Sequence, residues 1–214
     1  MEIPNYDNNG DEDKFIYLHD FMPNKIFRML ICGGSGSGKT NLLLHILKEP
    51  LIYYDKLYIY AKNLEQTKYQ ELIKCLSKIA QKHKIALDEI LEYSNDDIIN
   101  VSELNSNLQK VIIFDDYVCE KNQNDIINYF IQGRHKNCCV IYLSQSYFKT
   151  PKDIRLNCSH YIIYSIPSKR EVNLICNEQD VTSEQYKDAT KKPYDFLYLD
   201  KPRKLIKRNF YGDL

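Results

Sequence analysis

The sequence lacks an excess of charge, a cysteine motif and a long apolar run, and each absence excludes a class of protein. Lysine plus arginine and aspartate plus glutamate number 29 each in 214 residues, so overall charge does not indicate a nucleic-acid partner. The seven cysteines form no C-x-x-C pair and no His/Cys cluster with zinc spacing, which is typical of a reducing compartment. No apolar run approaches the roughly 18 residues of a membrane helix, and no secretory leader is visible. We therefore expect a soluble, intracellular protein.

Charge is uneven at the two ends of the chain. Residues 1–13 contain five acids, many asparagines and no lysine or arginine. This composition predicts a disordered acidic leader over residues 1–20, and the remaining length suits a single domain over residues 21–214. Residues 201–208 hold five basic side chains and no acid. Such a segment is most often a solvated hairpin, and a DNA contact is the alternative, which requires the charges to share one face.

Residues 33–40 read GGSGSGKT, a complete G-x-x-x-x-G-K-[ST] motif that follows a strand-like apolar run and precedes a helical pattern. Glycines let backbone N–H groups face a phosphate, and the helix adds the positive end of its dipole. Lys39 is expected to reach the β- and γ-phosphates, and Thr40 to offer a hydroxyl to Mg²⁺. A flexible Gly/Ser linker is the alternative, which the flanking strand and helix disfavour. The predicted nucleotide-binding residues are Gly33, Gly34, Ser35, Gly36, Ser37, Gly38, Lys39, Thr40 and Asn41.

A second apolar run, residues 111–114, ends in Asp115 and Asp116. A nucleoside triphosphate site needs a carboxylate at the end of a buried strand, so Asp115 is expected to hold Mg²⁺ opposite Thr40. Asp116 stands where many ATPases have a glutamate that polarises the attacking water. Because aspartate is shorter, it would act at closer range or through another water. A helix N-cap or a turn is the alternative for this acidic pair.

A third apolar run, residues 138–143, is followed by Gln145. A side-chain amide at the mouth of a buried strand is costly unless a ligand, water or another group satisfies it. Gln145 is therefore a candidate sensor of the γ-phosphate. A hydrogen bond to a neighbouring loop is the alternative.

Basic residues follow the predicted helix of residues 123–131, which is expected to stop at Gly133. Arg134 comes next and is a candidate arginine finger, supplied in trans to a neighbouring subunit. Arg155 is the rival candidate. Basic side chains are also common at helix C-termini, where they interact with the helix dipole, and this is the ordinary explanation for Arg134.

Strand-like runs alternate with helical patterns along the chain, which indicates a mostly parallel sheet with helices on both faces. The patterns predict strands over residues 56–61 and 161–166, and helices over residues 65–81, 169–178 and 184–190, with Thr182 as an N-cap. Two short helical pieces, residues 87–91 and 101–108, are expected to flank a strand-like turn near Tyr93. Residues 196–206 predict a C-terminal β-hairpin.

The segment QGRHKN at residues 132–137, together with LSQSY at residues 143–147, resembles the poxvirus-type genome-packaging ATPases. These belong to the FtsK/HerA branch of P-loop ATPases and occur in large DNA viruses, virophages and virus-like transposons. The resemblance covers nearly the whole chain. It implies a three-layer α/β P-loop core with the sensor strand between the Walker A and Walker B strands. It places Walker A at Lys39 and Thr40, Walker B at Asp115 and Asp116, and the sensor at Gln145.

The same resemblance implies an ATP-hydrolysing motor, with ATP and Mg²⁺ as cofactors, that drives double-stranded DNA into a viral capsid. Its implied partners are duplex DNA, further copies in a hexameric or pentameric ring, and capsid portal or vertex proteins. The implied location is the cytoplasm, viral factory or nucleus of a host, or the virion. Two alternatives remain: a small-molecule or nucleotide kinase, and a module that binds ATP without hydrolysis to hold partners together. Intact Lys39, Asp115 and Asp116 disfavour the second.

Overall fold

The computed structural model describes residues 15–49, 51–119 and 123–214. Strands in these ranges are β1 Arg28–Cys32, β2 Lys56–Ala61, β3 Leu91–Ser94, β4 Lys110–Asp115, β5 Cys138–Ser144, β6 His160–Tyr164, β7 Phe196–Asp200, β8 Leu205–Arg208 and β9 Gly212–Asp213. Helices are α1 Lys39–Lys48, α2 Thr67–His83, α3 Leu87–Ile90, α4 Asn124–Gln132, α5 Lys152–Asn157, α6 Lys169–Gln179 and α7 Ser183–Ala189. No helix in the described ranges is long and apolar enough to cross a membrane.

All strands of the described chain lie in one sheet, in the order β3-β2-β4-β5-β1-β6-β7-β8-β9. The strands from β3 to β6 in this order pair in parallel, and β7 to β9 add antiparallel pairs at one edge. Strand β5 therefore lies between β1 and β4, as the resemblance implied. The predicted α/β class, the mostly parallel sheet and the C-terminal hairpin of β7 and β8 are confirmed.

Helices cover both faces of the sheet and produce three layers. Because successive strand residues point to opposite faces, Met29 and Ile31 of β1 belong to one apolar cluster, while Leu30 and Cys32 belong to the other. Helices α1 and α2 pack on the first face, and α4, α6 and α7 on the second. Burial on both faces explains why the central strands read as continuous apolar runs.

Three local predictions were wrong. The helix over residues 101–108 is reduced to one 3₁₀ turn, Val101–Glu103. Asparagine side chains explain this: Asn100 Oδ1 accepts from Ser102 N and Asn105 Oδ1 from Asn107 N, and such local bonds compete with a helix. The strand-like turn near Tyr93 is the edge strand β3, parallel to β2. Ile79, assigned to the core stripe of α2, is 43% exposed.

Helix α4 ends at Gln132 with Gly133 as its C-cap, as predicted, but Gly133 does not adopt the left-handed conformation typical of a glycine at a helix end. Its backbone is helical, with φ −56°, and the chain continues through a 3₁₀ turn, Gly133–Lys136, to Asn137 with φ 53°. Asparagine tolerates the left-handed conformation, so Asn137 ends the turn. A Cβ at Gly133 would lie 3.4 Å from Cγ2 of Val140 and 3.5 Å from Cβ of Cys138. Glycine at this position therefore serves close packing against β5.

Residues 1–14 of the predicted leader, residues 1–20, lie outside the described residues. The part that is described contacts the sheet: Ile16 N donates to Oε1 of Gln109 at 2.9 Å, and Nε2 of Gln109 donates to the Ile16 carbonyl at 3.0 Å. Tyr17 also forms an antiparallel bridge with Ile52. The domain boundary at residue 21 stays a prediction. Residues 16 and 17, which precede it, contact the domain.

Candidate nucleotide-binding site

The loop of residues 33–40 runs from the end of β1 into α1. Gly38 has φ 104°, a conformation that L side chains rarely adopt. A Cβ at Gly33 would lie 2.7 Å from Cβ of Tyr164, so the close approach of β6 also requires glycine there. No side chain caps the N-terminus of α1. Its first N–H groups therefore face the loop, an arrangement typical of anion sites.

Lys39 is buried beneath this loop, with 9% of its surface exposed. Its Nζ donates to the carbonyl oxygens of Gly33 and, at 2.9 Å, Gly34. Burial lowers the pKa of Lys39, while the charges of Asp115 and Asp116 act in the opposite direction. The ammonium group therefore lies within electrostatic range of both acids. Ser37 Oγ is buried and has no hydrogen-bond partner within the described part of the chain. An orphaned hydroxyl and a nearby ammonium donor suit a phosphate.

Asp115 ends β4 and already has one protein partner. The hydroxyl of Tyr69, on α2, donates to Oδ2 of Asp115 at 2.6 Å. Burial raises the pKa of Asp115, and the Tyr69 hydrogen bond opposes that rise by stabilising the carboxylate. The sequence pattern assigned Tyr69 only to the apolar stripe of α2. A signal was present, since the hydroxyl of a fully buried tyrosine needs a polar partner.

Asp116 and Gln145 meet at the carboxyl edge of the sheet. Nε2 of Gln145 donates to Oδ1 of Asp116 at 3.1 Å. Asp116 has φ 66°, a left-handed conformation that aspartate and asparagine adopt more readily than most residues. This preference is a physical reason for aspartate, where many ATPases have glutamate. Gln145 thus forms a hydrogen bond with a neighbouring loop, which was the alternative to a role as sensor. That loop carries Asp116, the candidate catalytic acid.

Helix α6 holds the segment that follows Gln145. Glu171 accepts hydrogen bonds from Oγ of Ser146 at 3.1 Å, from the backbone N of Tyr147 at 2.8 Å and from the backbone N of Phe148 at 3.3 Å. Tyr147 is fully buried, while Phe148 is 47% exposed. The sequence analysis did not identify Glu171, because its partners lie 23–25 residues away. The segment that follows Gln145, the candidate sensor, is therefore held in place by α6.

Arg155, the rival arginine, is buried within its own subunit. Its Nε and Nη2 form a bidentate pair with the carboxylate of Glu178 at 3.0 and 2.8 Å. Its Nη1 donates to the carbonyl of Thr150 at 2.7 Å and to that of Phe148 at 3.2 Å. The guanidinium lies over the Tyr147 ring, 5.2 Å from its centroid. Arg155 thus supports the segment after the sensor and does not face a neighbour.

Arg134 is exposed and lies at the opposite edge of the sheet from the phosphate-binding loop. It precedes β5, whereas Gln145 follows it, and a strand of seven residues spans about 20 Å. An arginine side chain does not extend that far. Burial lowers the pKa of the neighbouring Arg28, and the charge of Arg134 lowers it further. Arg134 therefore cannot serve its own loop.

The structure brings Lys39, Asp115, Asp116 and Gln145 to one edge of the sheet. Thr40, the second residue of α1, lies at the same edge and is half-buried, while Asn41, Ser35 and Gly36 are exposed. Strands β1 and β4 flank β5, so their ends lie about 10 Å apart. Hydroxyl and carboxylate oxygens are ligands that Mg²⁺ prefers, and Thr40 and Asp115 supply one of each. The donor set fits a metal-bound triphosphate.

The chain is similar to several known proteins. The sequence model of the family described as poxvirus A32 protein matches residues 13–191. DNA packaging protein OPG160 of Variola virus is 27% identical, over 74% of this chain and 60% of its own length. The corresponding protein of Vaccinia virus, strain Copenhagen, is 28% identical over 70% of this chain and 57% of its own. The chain therefore spans about 60% of the length of these curated relatives.

Solved structures share the fold. The genome packaging NTPase B204 from Sulfolobus turreted icosahedral virus 2, in complex with ATP-gammaS, aligns with TM-score 0.60 and 19% identity over 88% of this chain and 98% of that chain. B204, described as the DNA-packaging ATPase from Sulfolobus turreted icosahedral virus, aligns with TM-score 0.61 and 19% identity over 85% and 96%. Similarity at this identity concerns the fold alone. The family match, which covers most of the sequence, shows that this chain belongs to the poxvirus A32 protein family.

Proposed function

We propose that this chain is an ATP-hydrolysing subunit of a ring motor that moves double-stranded DNA into a capsid. The observation that carries the proposal is the hydrogen bond between Gln145 and Asp116, at the edge of the sheet where Lys39 and Asp115 also lie. A carboxylate beside a polar sensor, next to a phosphate-binding loop, is the arrangement that phosphoryl transfer to water requires. The relatives are DNA packaging proteins, which supports DNA as the cargo.

Each residue has a role in this proposal. Backbone N–H groups of the loop and the α1 dipole bind the triphosphate, and Lys39 exchanges its two loop carbonyls for phosphate oxygens. Thr40 and Asp115 would hold Mg²⁺, which would supply positive charge to the phosphates. Asp116 orients the attacking water and takes its proton. Gln145 holds the Asp116 carboxylate in place through its amide.

The segment after Gln145 connects the site to a basic and aromatic surface. Phe148 and Lys149 are exposed, and the guanidinium of Arg170 lies 4.4 Å from the centroid of the Phe148 ring. Glu171, the next residue of α6, binds the backbone of the same segment. Cationic and aromatic groups suit a nucleic-acid backbone, so we assign the DNA contact to Phe148, Lys149 and Arg170.

The exposed position of Arg134 supports the proposed ring. Because it is exposed and beyond reach of its own loop, it can stabilise a transition state only in a neighbouring copy. Ile131, one helical turn before it, is 49% exposed and adds an apolar contact for that neighbour. The capsid partner is assigned as a portal or vertex protein, from the packaging role of the relatives.

The test is the ATP turnover of purified protein with and without duplex DNA, alongside particle mass from light scattering. We expect DNA to stimulate turnover by a multimeric particle, and Lys39→Ala to abolish turnover in a folded protein. Lys48→Ala, an exposed lysine of the same helix, is the matched control. Turnover stimulated by a nucleoside instead of DNA would indicate the kinase alternative. ATP binding without turnover, in an assembled particle, would indicate the non-hydrolysing module.

A further inference from the structure

A cleft of about 450 Å³ opens beside the phosphate-binding loop. One wall is formed by Ser35, Ser37 and Tyr164, and the other by residues 190–195, which join α7 to β7. The cleft lies on the β6 side of β1, whereas Asp115 and Gln145 lie on the β5 side. A triphosphate bound with its γ-phosphate toward the acids therefore directs its nucleoside away from them, along the loop and toward this cleft.

Tyr194 projects at the side of this cleft. It is 71% exposed, although it packs against the loop: Cδ1 of its ring lies 3.4 Å from the position that a Cβ on Gly38 would occupy. Its backbone has φ 68°. A bulky residue in the left-handed region is an outlier that persists only where surrounding structure maintains it, and such strain concentrates at ligand sites.

Several hydrogen bonds maintain the segment that carries Tyr194. The backbone N of Asp195 donates to the carbonyl of Lys192 at 3.1 Å, which closes a turn around Tyr194. Nδ2 of Asn209 donates to Oδ1 of Asp195 at 3.0 Å, and Oδ1 of Asn209 accepts from the backbone N of Phe196 at 3.1 Å. The strained residue is thus anchored on its C-terminal side to the hairpin.

The chemistry of the cleft suits an aromatic ring that carries phosphates. An exposed aromatic face provides stacking area for a base, and a tyrosine has few rotatable bonds to order. Lys191 and Lys192 lie in the same wall and outnumber the one carboxylate there, Asp195, which accepts a hydrogen bond from Asn209 on one oxygen. The wall is therefore positively biased, as expected for a ligand with an anionic tail.

We propose that Tyr194 is the base-stacking residue of the nucleotide site, and that the cleft between residues 35–37 and 190–195 takes the nucleoside of a purine triphosphate. This inference rests on the proposed function, since it assigns the nucleoside end of the same ligand. A purine offers a larger π-face than a pyrimidine, and stacking discriminates little between adenine and guanine. The chain therefore binds ATP and GTP with similar affinity and UTP more weakly.

Isothermal titration calorimetry with two probes tests this assignment. The non-hydrolysable analogue AMPPNP has a base, and tripolyphosphate has only the phosphates. We expect Tyr194→Ala to weaken AMPPNP binding about tenfold and to leave tripolyphosphate binding unchanged. Tyr194→Phe keeps the ring and should bind both probes like wild type. Tyr194→Asn removes the ring but suits a left-handed backbone, so it should behave like Tyr194→Ala while remaining well folded.

Tyr211 supplies the matched control, because it is also 71% exposed and does not line the cleft. Tyr211→Ala should bind AMPPNP like wild type. Unchanged AMPPNP affinity in Tyr194→Ala and Tyr194→Asn overturns the assignment. So does an equal loss for both probes, which would make Tyr194 a support of the loop. Wild-type protein that binds neither probe, or a Lys39→Ala protein that binds tripolyphosphate normally, overturns the proposed nucleotide site itself.

Discussion

The hydroxyl of Tyr69 donates a hydrogen bond to Oδ2 of Asp115 across 2.6 Å, from a side chain that is completely buried. This bond orients the carboxylate that we assign to Mg²⁺, since it occupies one oxygen and fixes the rotation of the group. Groups that hydrogen-bond to a metal-ligating side chain commonly orient it and change its affinity for the metal. Tyr69 is therefore a positioning residue of the proposed site, although its sequence position indicates only core packing.

Tyr69→Phe tests this role. The substitution keeps the ring and leaves the Asp115 oxygen without its donor, so we expect ATP turnover to need several-fold more Mg²⁺ for half-maximal rate. Stability should fall by about 1–3 kcal/mol, because a buried acceptor loses its partner. Magnesium titrations of turnover and thermal unfolding measure the two effects. Tyr93→Phe, which removes a hydroxyl from a side chain that is 44% exposed, is the control. An unchanged Mg²⁺ requirement would reduce Tyr69 to a packing role.

Asp116→Asn separates binding from hydrolysis. Asparagine tolerates the left-handed backbone at this position, so the fold should be unaffected. The variant can still accept a bond from Gln145, but it cannot take a proton from water. We expect ATP binding like wild type and turnover reduced at least 10²-fold, by the usual size of general-base effects. Equilibrium binding and single-turnover kinetics provide the check, and wild-type turnover would assign the base to another group.

Sequence patterns anticipated those parts of the site that are contiguous in the chain. The phosphate-binding loop lies between a strand and a helix, as its context indicated, and β2 has the predicted bounds, Lys56–Ala61. Strands that are buried on both faces read as continuous apolar runs, so their bounds are visible in the sequence. The place of β5 between β1 and β4 came from the resemblance alone, because parallel strands separated by helices can be arranged in several ways.

Contacts between residues far apart in the sequence could not be predicted from local patterns. Tyr69 and Asp115 are 46 positions apart, and Arg155 and Glu178 are 23 apart. Each of these residues has an ordinary local explanation, as core or as a helix surface. Gly133 illustrates a related point: the α-helix ends there as predicted, but the close packing against Val140 of β5, which also favours glycine, has no local pattern. Tertiary packing decided these positions, and it leaves no local signature.

A pH dependence is expected from Asp200, which is 1% exposed. Burial alone would raise its pKa, but hydrogen bonds from His160 and Arg203 outweigh burial and lower the pKa of Asp200 to about 2, from an ordinary 3.8. Its contribution is therefore present above pH 3.8 and is lost as pH falls toward 2. The shift corresponds to about 2 kcal/mol.

Asp200→Asn should therefore reduce stability at neutral pH and flatten its loss between pH 4 and pH 2, relative to wild type. Urea unfolding at a series of pH values measures the difference. Asp188→Asn is the control, because this carboxylate is half exposed and pairs with Arg208 only at 3.9 Å. Unfolding free energies of wild type and Asp200→Asn that run parallel through this range would contradict the assignment.

Truncation of Arg155 should destabilise the fold, whereas truncation of Arg134 should not. Arg155→Ala leaves Glu178 without its bidentate partner inside the protein, which typically costs about 3–5 kcal/mol. Arg134→Ala removes an exposed side chain and should change the unfolding free energy by less than about 0.5 kcal/mol. Denaturant unfolding distinguishes the two. Equal losses would mean that Arg134 makes intramolecular contacts and cannot act on a neighbour.

The trans role of Arg134 can be tested by mixing two inactive variants. Arg134→Ala subunits lack the finger but keep an intact site, and Asp116→Asn subunits lack the base but keep the finger. Alone, each variant should turn over slowly, because fingers of this kind contribute roughly 10³ to 10⁵ in rate. In mixed rings, an intact site can lie beside an intact finger, so activity should return. It should rise with protein concentration as rings assemble and fall on dilution.

His135→Ala is the matched control, since it truncates the adjacent exposed side chain. That variant should be active alone and should not need a partner. The decisive measurement is the turnover of the mixture as the ratio of the two variants is changed, with particle mass recorded in parallel. A trans finger predicts a maximum at intermediate ratios, because sites that combine both intact groups are then most frequent. Mixtures that assemble but stay as inactive as each variant would leave Arg134 as a basic residue at a helix end.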